Sequence, residues 1–158
     1  MPRSKAVKLW LAAVGRAKPG PELDLFQQYA RRLTPPLTLR EVEEKRPLPV
    51  PDRKAREAEL LLGAIPAGAV VIALDERGKS TGSEDFARRL GRWRDDGVAD
   101  LALLIGGADG HGDAVRARAD LMLSFGAMTW PHMLVRAMAA EQLWRAQAIL
   151  SGHPYHRA

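Results

Sequence analysis

Hydrophobic and polar positions fall into blocks that predict strands alternating with helices. The apolar runs over residues 69–74 and 101–105 are continuous and do not alternate with polar residues. Such runs are typical of parallel strands covered on both faces. Shorter or more mixed runs over 6–14, 38–42 and 121–125 predict three further strands.

Helices are indicated where apolar residues recur every three or four positions. The first stripe follows Pro21 and consists of Leu23, Phe26, Ala30 and Leu33, before a Pro-Pro pair ends it. Further helices are predicted over about 52–62, with Asp52 as a candidate N-cap, over 83–96, over 114–119 and from Pro131 through Leu150. The polar segments 75–82 and 106–112 are predicted to be loops.

The alternation predicts one α/β domain over residues 1–158, with a mainly parallel sheet and helices on both faces. In such sheets ligands bind outside the carboxyl ends of the strands. We therefore expect a ligand site where the two continuous apolar runs end.

Composition narrows the possible chemistry. The chain has no Cys, which excludes disulfides, a thiolate nucleophile and a Cys-ligated metal. No apolar stretch reaches the roughly 18 residues of a membrane span. The four His lack carboxylates at ligand spacing, so no metal site is expected. A basic start followed by a short apolar run fits a buried strand better than a signal peptide, which predicts an intracellular, cytoplasmic protein.

The charge is uneven along the chain. Residues 1–56 carry a net charge of +7, whereas residues 57–158 carry −2. A basic region of this kind is typical of a protein that meets a polyanion such as nucleic acid. A solvated Arg-rich surface is the alternative interpretation.

Two segments carry candidate chemistry. The segment 106–112 holds four Gly directly after a predicted strand, which lets a ligand approach the backbone closely. It does not spell the dinucleotide motif G-x-G-x-x-G, although a Rossmann-like dehydrogenase stays an alternative.

The segment 151–158 holds His153, Tyr155, His156 and Arg157 just after a helix stop. These side chains can move protons or stack on a base.

Motifs in three parts of the chain together resemble the bacterial large-subunit rRNA pseudouridine-N3 methyltransferases of the SPOUT class. The first part is Leu74-Asp75 with Gly78-Lys79, and the second is residues 103–107 with Gly110. The third runs from Leu123-Ser124-Phe125 through Pro131-His132, Val135-Arg136 and Glu141-Gln142 to the closing His-Pro-Tyr-His-Arg. The resemblance covers nearly the whole chain.

The resemblance implies a C-terminal trefoil knot, S-adenosylmethionine as cofactor, a homodimer, and a pseudouridine in a 23S rRNA stem-loop of the assembled ribosome as substrate. The cofactor site would comprise Leu74, Gly106, Phe125, Gly126, Ala127, Met128, Thr129 and Trp130. The catalytic residues would be His153, Tyr155 and His156 of the tail, which completes the neighbouring subunit's site, with Arg136 and His132 lining the same pocket.

The resemblance leaves some points open. Methyl transfer to an imide nitrogen requires loss of its proton, but the sequence does not assign the base. His111 stands where relatives usually have an apolar residue, and the segment 47–56 departs from the family pattern. A non-catalytic RNA-binding protein of ribosome assembly is the alternative function, motivated by the basic first third.

Overall fold

The computed structural model describes residues 6–157, which form a five-stranded sheet flanked by helices. The strands are β1 (Lys8–Val14), β2 (Thr38–Val42), β3 (Val70–Ser80), β4 (Asp100–Ile105) and β5 (Leu121–Ser124). The helices are α1 (Pro21–Arg32), α2 (Val50–Gly63), α3 (Ser83–Asp95), α4 (Asp113–Arg118) and α5 (His132–Ser151). The predicted alternation of strand and helix is confirmed.

All strand pairs are parallel, in the order β2-β1-β4-β3-β5. Side chains of β1 and β4 alternate between two cores because successive residues of a strand point to opposite faces. Leu11 and Leu103 pack with α1, α3 and α5 on one face, whereas Ala12 and Leu104 pack with α2 and α4 on the other. The prediction of helices on both faces is therefore confirmed.

The prediction of a polar loop over residues 75–82 is wrong, because β3 continues to Ser80. Pairing with β5 is interrupted after Leu74 and resumes where Lys79 pairs with Leu123 and Ser80 with Ser124. The intervening residues bulge out of the ladder. This end of β3 is largely exposed, so the strand continues without the apolar run that marks its buried half.

The start of α2 also differs from the prediction. The helix begins at Val50, two residues before Asp52, and no side chain caps it. Asp52 instead lies in the first turn, where a carboxylate favourably meets the positive end of the helix dipole. The trefoil knot stays a prediction, and the basic residues Arg3 and Lys5 lie outside the described residues.

Candidate active site

A cavity of about 530 Å³ lies at the carboxyl end of the sheet. It is bounded by the bulge of β3 that follows Leu74, by the end of β4 and the loop after it, by the loop that follows β5, and by the first turns of α5. This volume lies within the roughly 300–1,000 Å³ typical of small-ligand pockets. We call it the strand-end cavity.

The loop after β4 forms one wall of this cavity through close backbone packing. A Cβ on Gly106 would lie 3.1 Å from the carbonyl carbon of Gly110 and from His111 Nδ1. A Cβ on Gly107 would lie 2.8 Å from Glu57 Oε1. Only glycine fits both positions without displacement, so the backbone itself faces the cavity.

Glu57 is a buried carboxyl beneath this loop. Burial raises its pKa and the nearby Asp109 raises it further, whereas Arg53 acts in the opposite direction. Its Oε1 atom has no hydrogen-bond partner within residues 6–157. Glu57 therefore packs against the glycine loop, and its Oε1 atom could form one more hydrogen bond.

His111 lines the cavity and is only 3% exposed. Its Nε2 atom lies 3.1 Å from the Leu104 carbonyl oxygen, to which an Nε2–H donates a hydrogen bond. Burial lowers its pKa, although the carbonyls of Leu104 and Leu74 and the carboxylate of Asp75 partly oppose this shift. A neutral ring that donates through Nε2 leaves Nδ1 as an acceptor, and in the described chain Nδ1 has no hydrogen-bond partner.

Ser124 fixes the loop that follows β5. Its Oγ accepts a hydrogen bond from the Gly126 amide at 3.0 Å and lies 3.2 Å from the carbonyls of Gly126 and Glu76. Gly126 has a φ of +108°, a conformation that disfavours any residue with a Cβ. One hydroxyl therefore ties this tight turn to the bulge of β3.

The predicted cofactor residues gather around this one cavity. Its lining includes Leu74, Gly106, Phe125, Gly126, Met128, Thr129 and Trp130. Ala127, the remaining member, is exposed and does not line the cavity. The role of these residues in holding a cofactor stays a prediction that their placement supports.

The predicted catalytic tail folds back against α5 and lies outside the strand-end cavity. The Tyr155 hydroxyl donates to Glu141 Oε1 at 3.0 Å, and Arg145 lies 3.0 Å from His156 Nδ1. The His153 ring contacts Trp144 edge-on, with ring centroids 5.7 Å apart. These contacts hold the tail on its own chain.

A second cavity of about 520 Å³ lies beside the tail, and we call it the helix cavity. Tyr29 and Glu141 line it, and it shares Phe125 and Gly126 with the strand-end cavity. Burial raises the pKa of Tyr155, and its contacts with Tyr29 and Glu141 raise it further. The Tyr155 phenol is therefore protonated at neutral pH and acts as a hydrogen-bond donor.

Arg136 is separated from the tail and is 2% exposed. Its Nη1 lies 2.5 Å from Glu41 Oε2, and its Nη2 donates to the Gly15 carbonyl at 3.0 Å. It borders a groove next to α1 that His132 also lines. His132 reaches the strand-end cavity as well, whereas Arg136 does not. The catalytic assignments of Arg136, His153, Tyr155 and His156 stay predictions.

Sequence reasoning missed several residues that shape these sites. Glu57 and Tyr29 lie on helices far from the motifs, and only the tertiary fold brings them to the cavities. Ser124 belongs to one of the motifs that carry the family resemblance, but no sequence pattern indicates its hydrogen bonds with the turn at Gly126. The signal that could have flagged Glu57 is its position among the apolar residues of α2.

Within residues 6–157 no group of three or more His, Asp or Glu side chains is arranged to hold a metal ion. None of the helices described is long and apolar enough to cross a membrane.

Comparison with known proteins gives concordant results. A family model described as "Predicted SPOUT methyltransferase" matches residues 7–156. A relative from Paramagnetospirillum magneticum, named ribosomal RNA large subunit methyltransferase H, is 71% identical over 96% of this chain and 99% of its own length. A relative of the same name from Rhodospirillum centenum is 62% identical over 96% of this chain and 100% of its own.

A solved structure shares the fold. It is the SpoU methyltransferase AviRb from Streptomyces viridochromogenes in complex with the cofactor AdoMet, with a TM-score of 0.50 and 16% identity. The match covers 93% of this chain, which spans 63% of the length of that one. The family model spans nearly the whole chain, and the two relatives match it over almost their full lengths. The chain therefore belongs to the SPOUT methyltransferase family.

Proposed function

We propose that this protein is an S-adenosylmethionine-dependent methyltransferase of large-subunit ribosomal RNA. The finer assignment is methylation of N3 of a pseudouridine in a 23S rRNA stem-loop on the assembled ribosome, by a homodimer in the cytoplasm. The observation that carries the proposal is the strand-end cavity, whose lining contains seven of the eight predicted cofactor residues. The names of the two relatives support the rRNA substrate.

The residues of the strand-end cavity fit a sulfonium nucleoside. Ile105, Phe125 and Val135 supply apolar surface for a flat ring. The unpartnered Nδ1 of buried His111 supplies an acceptor for an N–H or O–H donor. Asp75 also lines the cavity, but its carboxylate is paired with Arg77 and Arg116, so it neutralises these arginines at the cavity wall.

The cofactor and the protein chain supply different parts of the methyl-transfer reaction. S-adenosylmethionine supplies an electrophilic methyl group when bound. The chain must align the acceptor nitrogen and remove its proton, since an imide N–H has no free lone pair. His153 and His156 are the candidates for taking this proton. Tyr155, which stays protonated, can donate a hydrogen bond to an oxygen that gains charge when its hydroxyl turns away from Glu141.

A homodimer is supported by where the tail lies. His153, Tyr155 and His156 contact α5 of their own chain, and none of them lines its strand-end cavity. Beside that cavity the Met128 side chain is 76% exposed and the Trp130 side chain 38%. An apolar surface of this kind next to a site is typical of an interaction surface. A second copy would cover it and bring its own tail to the site.

The cofactor site is tested by titration calorimetry with S-adenosylmethionine. We expect the wild type to bind and Gly106→Trp not to bind, because a side chain at Gly106 meets Gly110 and His111 and would displace the loop that forms the cavity wall. Gly63→Trp is the matched control, since a Cβ at Gly63 meets nothing within 4 Å. Equal binding by wild type and Gly106→Trp would refute the placement of the site.

The substrate is tested by transfer of labelled methyl groups to ribosomes that lack the modification. We expect incorporation into 23S rRNA of assembled ribosomes, at a pseudouridine, and less into isolated subunits. Methyl transfer that fails despite cofactor binding would refute the substrate assignment. RNA binding that is indifferent to cofactor would favour the non-catalytic alternative.

A further inference from the structure

A groove of about 280 Å³ lies between the exposed end of β3 and α3. We call it the α3 groove. It is lined by Lys79, Ser80, Thr81, Asp85, Arg88, Arg89 and Arg92. The groove therefore collects four cationic side chains and one carboxylate in a small volume.

Most of this positive charge is not compensated. Arg88 pairs with Asp85 one turn away on α3. Lys79, Arg89 and Arg92 make no ion pair with any residue in the described part of the chain. Like charges at close range on one helix face destabilise it modestly. An arrangement of this kind becomes favourable when an anion enters the groove.

Four arginines of the basic first third differ in this respect. Arg16 pairs with Glu43, Arg46 and Arg56 pair with Glu44, and Arg53 lies 3.7 Å from Asp109. These arginines already have carboxylate partners. Seven other basic side chains of the described first third make no ion pair within residues 6–157, namely Lys8, Lys18, Arg31, Arg32, Arg40, Lys45 and Lys54. The α3 groove is distinguished because three unpaired cations line one small groove next to the helix cavity.

The α3 groove is continuous with the candidate active site. Ser80 and Thr81 line both the groove and the helix cavity. The Thr81 hydroxyl oxygen is buried and has no hydrogen-bond partner within residues 6–157. At the start of α3, Glu84 lies 3.5 Å from His156 of the tail. A chain of anionic groups lying in the groove would thus lead to the predicted catalytic tail.

We propose that the α3 groove binds backbone phosphates of the rRNA next to the nucleotide that is methylated. This inference rests on the proposed function, which supplies a polyanionic substrate. Arg presents paired N–H donors that match phosphate oxygens, and Lys supplies a compact charge. A row of cations that follows α3 for more than one turn suits successive phosphates of a nucleic acid strand.

The test compares two charge-matched triple variants. The first is Lys79→Gln, Arg89→Gln and Arg92→Gln in the groove. The control is Lys18→Gln, Arg40→Gln and Lys45→Gln in the basic first third. Both lose three positive charges, so a purely nonspecific attraction to RNA would weaken equally in the two.

The expected result is specific to the groove. Binding to ribosomes and to protein-free 23S rRNA should weaken about tenfold or more in the groove variant at low salt. Its plot of log affinity against log salt concentration should lose about 0.7–0.9 of slope for each phosphate contact removed. The KM for ribosomes should rise more than kcat falls. The dissociation constant for S-adenosylmethionine and the thermal midpoint should match those of the wild type.

Several outcomes would overturn the inference. Equal losses in the two triple variants would show that only net charge matters. A loss with ribosomes but not with protein-free 23S rRNA would show that the groove faces a ribosomal protein. Wild type that methylates ribosomes, together with a groove variant that binds them normally, would refute this inference alone. Wild type that neither binds S-adenosylmethionine nor methylates would refute the proposed function itself.

Discussion

The buried ion pair between Arg136 and Glu41 gives an asymmetric prediction about stability. The side chain of Arg136 is 3% exposed and that of Glu41 is 23% exposed. Removing the charge of Glu41 leaves a cation deep in the protein, whereas removing Arg136 leaves a carboxylate that water can reach. The two substitutions should therefore differ in cost although they break the same pair.

The magnitudes follow from these environments. Breaking a buried pair by removing one partner costs roughly 3–5 kcal/mol. Glu41→Gln keeps an acceptor near Arg136, and the Gly15 carbonyl stays in place, so we expect the lower end, about 3 kcal/mol. Arg136→Met removes the buried charge and adds apolar contact, while Glu41 still accepts from the Ala17 amide. We expect about 1 kcal/mol for that change.

Urea unfolding followed by circular dichroism at pH 7 measures both variants, at one protomer concentration because the stability of the proposed dimer would depend on it. Equal costs, or a larger cost for Arg136→Met, would refute the reasoning. Methyl transfer at equal folded fraction then tests the predicted catalytic role. If the guanidinium reaches the substrate, Arg136→Met loses activity beyond its unfolded fraction.

The pair also makes stability depend on pH. Burial opposes ionisation of Glu41, but hydrogen bonds from Arg136 and the Ala17 amide, with the charges of Arg136 and Arg16, outweigh it and lower its pKa. A carboxyl with a lowered folded pKa contributes stability above its unfolded pKa and loses that contribution as the pH falls through the folded value. The loss of stability below about pH 4.5 should be shallower in Glu41→Gln than in wild type.

Three further predictions concern the cavities. Ser124→Ala removes the hydroxyl that holds Gly126, so the S-adenosylmethionine dissociation constant from calorimetry should rise about fivefold, and an unchanged value would contradict this role. His111→Leu removes a group whose burial lowers its pKa. Because the unfolded state binds its proton first as the pH falls, wild-type stability should drop below about pH 6.5, and urea unfolding at pH 7.5 and 5.5 should show a smaller drop in the variant. Tyr155→Phe should lower kcat, but the pH–rate profile should be unchanged up to about pH 10, since the phenol is held protonated. An alkaline limb that disappears in Tyr155→Phe would show that Tyr155 is the base.

The sequence predicted the elements whose signals are local. Strand β2 has the predicted bounds, and α1 begins at Pro21, because proline and glycine mark these boundaries directly. The exposed end of β3 was missed because its ladder depends on β5, which lies about 40 residues further along the chain. Strand order was likewise out of reach, since it depends on crossovers that no local pattern encodes.

In the candidate site, too, features with a local sequence signal were predicted and those that depend on distant contacts were not. The carboxyl ends of the two buried strands were predicted from the general behaviour of parallel sheets, and Leu74 and Gly106 do line one cavity. Contacts between distant side chains were not predictable. Glu57 beneath Gly107 and Arg53 beside Asp109 depend on how α2 packs against the sheet. The charge of the first third was counted correctly, but its pairing could be seen only in the fold.

The wall shared by the two cavities links cofactor and substrate. Phe125 and Gly126 line both the strand-end cavity and the helix cavity, and Ser124 holds their turn. A ligand that fixes this turn from one side also fixes the surface offered to a ligand on the other. The proposed rRNA site in the α3 groove adjoins the helix cavity through Ser80 and Thr81. Because coupling between two binding events is reciprocal, any factor by which rRNA bound there changes the affinity for S-adenosylmethionine equals the factor by which the cofactor changes the affinity for rRNA. Measuring the affinity for S-adenosylmethionine with and without rRNA, in the wild type and in Ser124→Ala, would show how much of this coupling depends on the turn.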